Sequence, residues 1–168
     1  MTEPLDRKDA EKHLWDALED TRVGMLGLAG GEPRHMQPMT AFVDRETDSL
    51  WFFTYRDTDL ARDVTVQGGH YAMFCLVSKD QHLYACLGGE LEEQFDRERM
   101  DRYWDPVVAA WYPDGKDDPR LTLLRMKLDD AQVWVSRAGP VRFAFEIAKA
   151  NLTKDRPDLG ERADIRFQ

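Results

Sequence analysis

"WFFTYRDTDLARDV", residues 51–64, decides how the chain is read. Its first half continues back to Leu50 as "LWFFTY" (50–55), an apolar, β-prone run that predicts a strand. Its second half turns polar at once, with Arg56, Arg62, Thr58 and the aspartates Asp57, Asp59 and Asp63. Asp57 or Thr58 suits a helix cap, so a short helix is expected from about 58 to 66, ended by "GG" at 68–69. Two readings of the junction stand side by side. In one it is a solvated helix start whose Asp57 and Asp59 meet the helix dipole. In the other, helix-start N–H groups, the Thr58 hydroxyl, Arg56 on the loop and Arg62 one turn later cradle a phosphate.

The elements on either side extend the pattern. Residues 4–20 carry Leu5, Leu14, Trp15 and Leu18 at the spacing of an amphipathic helix. "RVGMLGLA" (22–29) reads as a buried strand, "GGEP" (30–33) as a turn, and "RHMQPMTAFVD" (34–44) as a second strand. Pro38 cannot donate to a ladder, so that strand belongs at an edge, at a bulge, or where its backbone is engaged elsewhere. "YAMFCLVS" (71–78) and "HLYACLGGELEEQ" (82–94) predict a hairpin across "KDQ". A helix over 96–111 is broken at Pro106. "LTLLRMKL" (121–128) and "AQVWVSR" (131–137) read as a strand pair with a tight turn at "DD". Pro140 is placed to start a helix over 139–152, and the rest of the tail is expected to be loosely held until its last few residues. Six or seven strands in adjacent pairs imply an antiparallel sheet, and closure into a barrel removes its edges. The expected fold is α+β: an antiparallel split β-barrel over about 22–137 with peripheral helices, and a C-terminal extension over 138–168, all one domain.

Composition narrows the function. A 168-residue chain with net charge −9 is a poor general partner for nucleic acid, which needs clustered Lys and Arg, and for anionic membrane surfaces. No apolar run reaches the roughly 18–20 residues of a membrane span, and the N-terminal stretch lacks the apolar core of a signal peptide. A cytoplasmic setting is expected. Cys75 and Cys86 read as small buried thiols in β-like runs, and the four histidines show no ligand pairing for zinc. Ser49, Ser78 and Ser136 sit in no nucleophile elbow, and there is no dinucleotide fingerprint or P-loop. "AAWYPDGKDDP" (109–119) allows a packed aromatic beside a solvated loop, or an aromatic wall and a cation beside a planar anionic ligand.

Three segments in order change the weighting: "MQPMTAFVDRETDSLWFFTYRDTDLARDV" (36–64), "AMFCLVSKDQHLYACLGGELEEQFDRERMDRYWDP" (72–106) and "VVAAWYPDGKDDPRLTLLRMKLDDAQVWVS" (107–136). Together they resemble the general stress protein branch of the pyridoxamine 5'-phosphate oxidase-like flavoproteins, over about residues 10–136. The resemblance implies an FMN-binding split barrel, usually a homodimer with two flavin sites at the subunit interface. It places Gln37, Pro38, Met39 and Thr40 along the isoalloxazine edge, and Phe53 and Thr54 beside the ring and ribityl chain. It places Arg56, Thr58 and the backbone of Leu60 around the phosphate. Trp111 and Lys116 match a loop that closes over the flavin from the partner subunit. Relatives commonly carry an arginine where this chain has Gln37. Losing one charge-assisted contact costs about 1–3 kcal/mol, roughly ten- to a hundredfold in binding. Arg34 lies on the other pleat face and is a poor direct substitute.

The resemblance implies an FMN-binding flavoprotein of the general-stress type, with flavin-dependent oxidoreductase chemistry on an unnamed substrate as one role. FAD is an alternative flavin. Authentic pyridoxamine-phosphate oxidase activity is not expected, because its further basic substrate contacts and characteristic C-terminal segment are missing. No residue stands out as a dedicated acid or base, so no catalytic residue and no metal ligand is assigned. Two other readings remain: a non-enzymatic flavin carrier or sensor, and a barrel holding another planar ligand such as haem, a deazaflavin or a bilin.

Overall fold

The computed structural model describes residues 5–30, 35–66, 68–136, 139–158 and 160–168. Most of the "GGEP" turn and Arg34 fall outside them. In chain order the elements are α1 (Arg7–Thr21), β1 (Val23–Leu28), β2 (Gln37–Thr40), β3 (Phe42–Asp44), β4 (Ser49–Tyr55), α2 (Asp59–Val66), β5 (His70–Val77) and β6 (Leu83–Glu93). There follow α3 (Arg97–Tyr103), α4 (Pro106–Trp111), β7 (Leu121–Ser136), α5 (Pro140–Thr153) and β8 (Gly160–Arg166).

All strand pairings are antiparallel, in the order β2-β1-β5-β6-β7-β4-β3, with β8 attached to β7. β2 and β3 stand at opposite ends of that path, yet only Ala41 separates them in the chain. The two ends of the sheet therefore meet, and the sheet curls into a split barrel. Ala41 is buried at the junction and its N–H donates to the Arg22 carbonyl at 2.7 Å. Pro38 lies on β2, which ends the path, so it occupies the edge position its missing N–H requires.

β4 explains why its sequence shows no alternation. Leu50 and Phe52 enter the barrel core with Leu26, Phe74, Leu87 and Leu124, while Trp51 and Phe53 enter a second core with Phe42, Met100 and Val108 under α3 and α4. A strand buried on both faces reads as a continuous apolar run. α1 closes the barrel core with Ala10, Leu14, Trp15 and Leu18, and α2 adds Leu60 and Val64. The break at Pro106 has a local cause. Pro106 opens α4, and the Asp105 carboxylate caps it by accepting from the Val108 N–H at 2.8 Å. Beside this core the Asp44 carboxylate pairs with Arg99, whose guanidinium lies 4.5 Å over the Trp51 ring.

Two expectations need correction. "LTLLRMKLDDAQVWVS" is one strand of 16 residues, not a pair with a turn at Asp129–Asp130. β6 pairs with it from Leu124 to Val135, across the expected turn, and the register slips at Gly88/Gly89, where Gly88 faces Asp130 and Gly89 faces Leu128. Asp129 is thus the extra residue of a bulge, which bends the strand without ending it. The bend gives β7 two partners on its other edge, β4 along its first half and β8 along its second. The second correction follows. The tail is not loosely held up to its last few residues, because from Gly160 it forms β8, which buries Ala163 and Ile165 in the barrel core.

Candidate functional site

A cleft of about 350 Å³ opens where β1, β2 and the start of α2 converge, lined by Leu26, Gly27, Leu28, His35, Gln37, Asp59, Leu60 and Asp63. The volume lies in the range of small-molecule sites. Gln37 and Leu60, expected at the two ends of one ligand, are brought to the same cleft. Gln37, Pro38 and Thr40 are exposed and Met39 is half-buried against the core. Among the described residues β2 has a strand neighbour on one side only, so its other edge can pair with a polar ring edge.

The hydroxyls expected at the phosphate end are adjacent. Thr54 Oγ1 and Thr58 Oγ1 are 3.1 Å apart. Thr58 is also the cap of α2: its oxygen accepts from the Ala61 N–H at 3.3 Å and its hydroxyl donates to the Tyr55 carbonyl at 2.9 Å. Directly across the ladder from Thr54 is Thr122, fully buried, with an Oγ1 that lacks a hydrogen-bond partner. Both threonines lie on the barrel side of their strands, because Phe52 and Leu124, one alternation back, point into the barrel core.

Cations are placed differently from the expectation. Arg56 does not line the cleft. Its guanidinium pairs with Glu93 at 3.0 Å and lies 5.8 Å from the Phe95 ring centroid, and its N–H donates to the Arg120 carbonyl. Among the described lining residues, Asp59 and Asp63 supply the charge, and neither Arg nor Lys is present. Phe53 is buried in the second core and does not reach the cleft. Trp111 and Lys116 are also absent from the lining. Trp111 is 77 % exposed at the end of α4, and Lys116 pairs with Asp101 at 2.8 Å. Tyr112 fixes that corner by donating to the Phe53 carbonyl at 2.9 Å. Burial, with the nearby Tyr55, pushes Tyr112 up to about 12, so it stays a neutral donor.

Sequence reasoning missed His35, Asp63, Glu93 and Thr122. Thr122 had a signal: once β4 and β7 are paired, a threonine facing Thr54 marks the polar end of the barrel. Glu93 had none, since only the fold brings it to Arg56.

The fold and this geometry can be set beside known proteins. Residues 9–158 match the model of the family described as pyridoxamine 5'-phosphate oxidase like. A crystal structure assigned to general stress protein 26 from Jannaschia sp. CCS1 is 39 % identical, covers 95 % of this chain and 99 % of that one, and superposes with a TM-score of 0.78. The general stress FMN/FAD binding protein of Xanthomonas citri is 40 % identical over 79 % of this chain and 92 % of its own, with a TM-score of 0.70. General stress protein 26 of Bacillus subtilis (strain 168) is 24 % identical over 132 residues, 77 % of this chain and 91 % of its own. The chain belongs to the pyridoxamine 5'-phosphate oxidase like family.

Proposed function

We propose that the protein binds a flavin, FMN in particular, in the cleft between the β2 edge and the start of α2. The observation that carries this reading is the convergence of Gln37 and Leu60 on one cleft, with a hydroxyl pair formed by Thr54 at the end of β4 and Thr58 at the cap of α2. The 40 % identity to an FMN/FAD binding protein of the same fold supports it.

The donor set suits such a ligand. The open edge of Gln37–Thr40 offers backbone donors and acceptors in the plane of a flat ring. Gln37 adds a neutral amide that can both donate and accept. Thr58 and the first N–H groups of α2 favour a terminal phosphate. Asp59 and Asp63 also line the cleft, and a cation brought by a second subunit would add to the attraction for a phosphate. In a homodimer that cation would be Lys116, exchanging its pairing with Asp101 for the partner's flavin phosphate, with the exposed Trp111 beside the same corner, which Tyr112 locks to β4. A bound flavin would bring its own hydride and electron chemistry, while these residues hold, orient and shield it.

Titration with FMN and with riboflavin, following quenching of flavin fluorescence, tests the assignment of the phosphate end. Lys116→Ala should weaken FMN about tenfold and leave riboflavin within about twofold, as expected for one lost charge-assisted contact. Equal losses for both ligands would remove Lys116 from the phosphate. Turnover of a reduced nicotinamide by the FMN-loaded protein then separates an oxidoreductase from a carrier.

A further inference from the structure

The chain's two cysteines, Cys75 and Cys86, are both free and half-buried. The register of β5 and β6 sets them directly opposite each other. Two backbone bonds identify the kind of pair they form. Ser78 N–H donates to the Leu83 carbonyl at 2.8 Å, so 78/83 is a hydrogen-bonded pair, and three steps along an unslipped register 75/86 is a non-hydrogen-bonded one. On the far side of β5, Ala29 N–H donates to the Tyr71 carbonyl at 2.8 Å, and the same alternation makes 25/75 a hydrogen-bonded pair. The backbone groups of Cys75 therefore point toward β1, away from Cys86. Non-hydrogen-bonded pairs are the closer class, with Cα atoms about 4.5 Å apart, inside the range a disulfide spans. The side chains leave the same face of the sheet, as directly opposed residues of an antiparallel pair do. They lie on the outer face of the barrel, because Phe74, Leu76, Ala85 and Leu87 on the same strands point into it.

We propose that Cys75 and Cys86 are a reversible dithiol–disulfide couple, an oxidative modification site on the outer face of the barrel whose reactant is a two-electron oxidant of the peroxide class. The Cys86 thiolate attacks one peroxide oxygen, the O–O bond breaks, and Cys86 becomes a sulfenic acid as hydroxide leaves. The Cys75 sulfur then attacks the Cys86 sulfur, the S–O bond breaks, and the Cys75 proton leaves with that hydroxyl as water. Two thiols and one hydrogen peroxide give one disulfide and two waters. An external dithiol reverses the couple by exchange. Burial, with the Cys86 thiol alongside, pushes Cys75 up to about 12, which makes Cys75 the weaker choice for the first attack. The site does not depend on the flavin reading.

The test uses the full-length protein with its native residues. Reduced protein is treated with a stoichiometric excess of hydrogen peroxide, alkylated with iodoacetamide, and weighed intact. The couple predicts a species lighter by two hydrogens, carrying no alkyl group, of single-chain size on a non-reducing gel, and returned to two alkylatable thiols by dithiothreitol. Full alkylation of both cysteines after peroxide would overturn the proposal. So would a disulfide formed solely between chains, or sulfinic acid with no internal link.

Discussion

Gly89→Ala should show what keeps β7 in one piece. A Cβ at Gly89 would lie 2.1 Å from the Lys127 carbonyl oxygen, 2.9 Å from its carbon and 3.0 Å from the Leu128 Cα. All three are backbone atoms across the bulge, so no rotamer relieves the clash and the strands must part locally. Gly88 is the internal control. A Cβ there would meet the Tyr71 hydroxyl at 2.5 Å and the Asp130 carboxylate at 2.8 Å, both at the ends of side chains that can swing away. Overpacking costs about 1–3 kcal/mol. Gly89→Ala should take the upper end, about 3 kcal/mol, and Gly88→Ala about 1 kcal/mol or less, because a stiffer unfolded chain offsets part of the cost. At this chain length each kcal/mol moves the melting temperature by about 2–4 °C, so the expected losses are about 6–12 °C and no more than about 4 °C. Thermal unfolding followed by circular dichroism reads both. Equal melting of the two variants would refute the backbone clash as the controlling contact.

Ile165→Ala should cost about 3 kcal/mol in denaturant unfolding, as deletion from a filled core does, if β8 belongs to the barrel core. Burial alone would raise the Asp44 carboxyl, but the Thr47 hydroxyl and Arg99 outweigh it and hold Asp44 below the ordinary carboxylate range. Its ionised form thus adds stability above the unfolded pKa of about 4, and that part is lost as pH falls through the lower folded value. Asp44→Asn should therefore cost about 1.5–3 kcal/mol at pH 7 and show a shallower acid limb in pH-dependent unfolding. Thr58→Ala should lower stability by about 1 kcal/mol through the lost cap, besides weakening FMN. Gln37→Arg should tighten FMN about ten- to a hundredfold in the same fluorescence titration, because it adds one charge-assisted contact at the cleft.

What could be read from the sequence follows from where the physics is local. The strand at 50–55, the helix capped at Thr58, the break at Pro106 and the hairpin across "KDQ" rest on neighbouring residues, and the structure has them. Asp129–Asp130 looked like a turn because two adjacent aspartates usually mark one. Gly88 and Gly89, which convert the spot into a bulge, lie some forty residues away in sequence. β8 was hidden by its charges: Glu161, Arg162, Asp164 and Arg166 alternate with just two inward apolar residues, Ala163 and Ile165. At the candidate site, Gln37 and Leu60 line one cleft although twenty-two residues separate them in the chain, a proximity that pairing of β2 with β1 and the placement of α2 create. The partners of Arg56 and Lys116 did not appear in any local pattern, because ion pairing with Glu93 and Asp101 depends on how α3 and the end of β6 are packed.

A barrel that holds a flavin takes it up from solution. Equilibrium titration of the purified, flavin-free protein with FMN, read by absorbance in the flavin bands, tests it most directly. Saturable binding of one FMN per chain with a shifted flavin spectrum is expected. A protein that stays colourless after dialysis against excess FMN would contradict it.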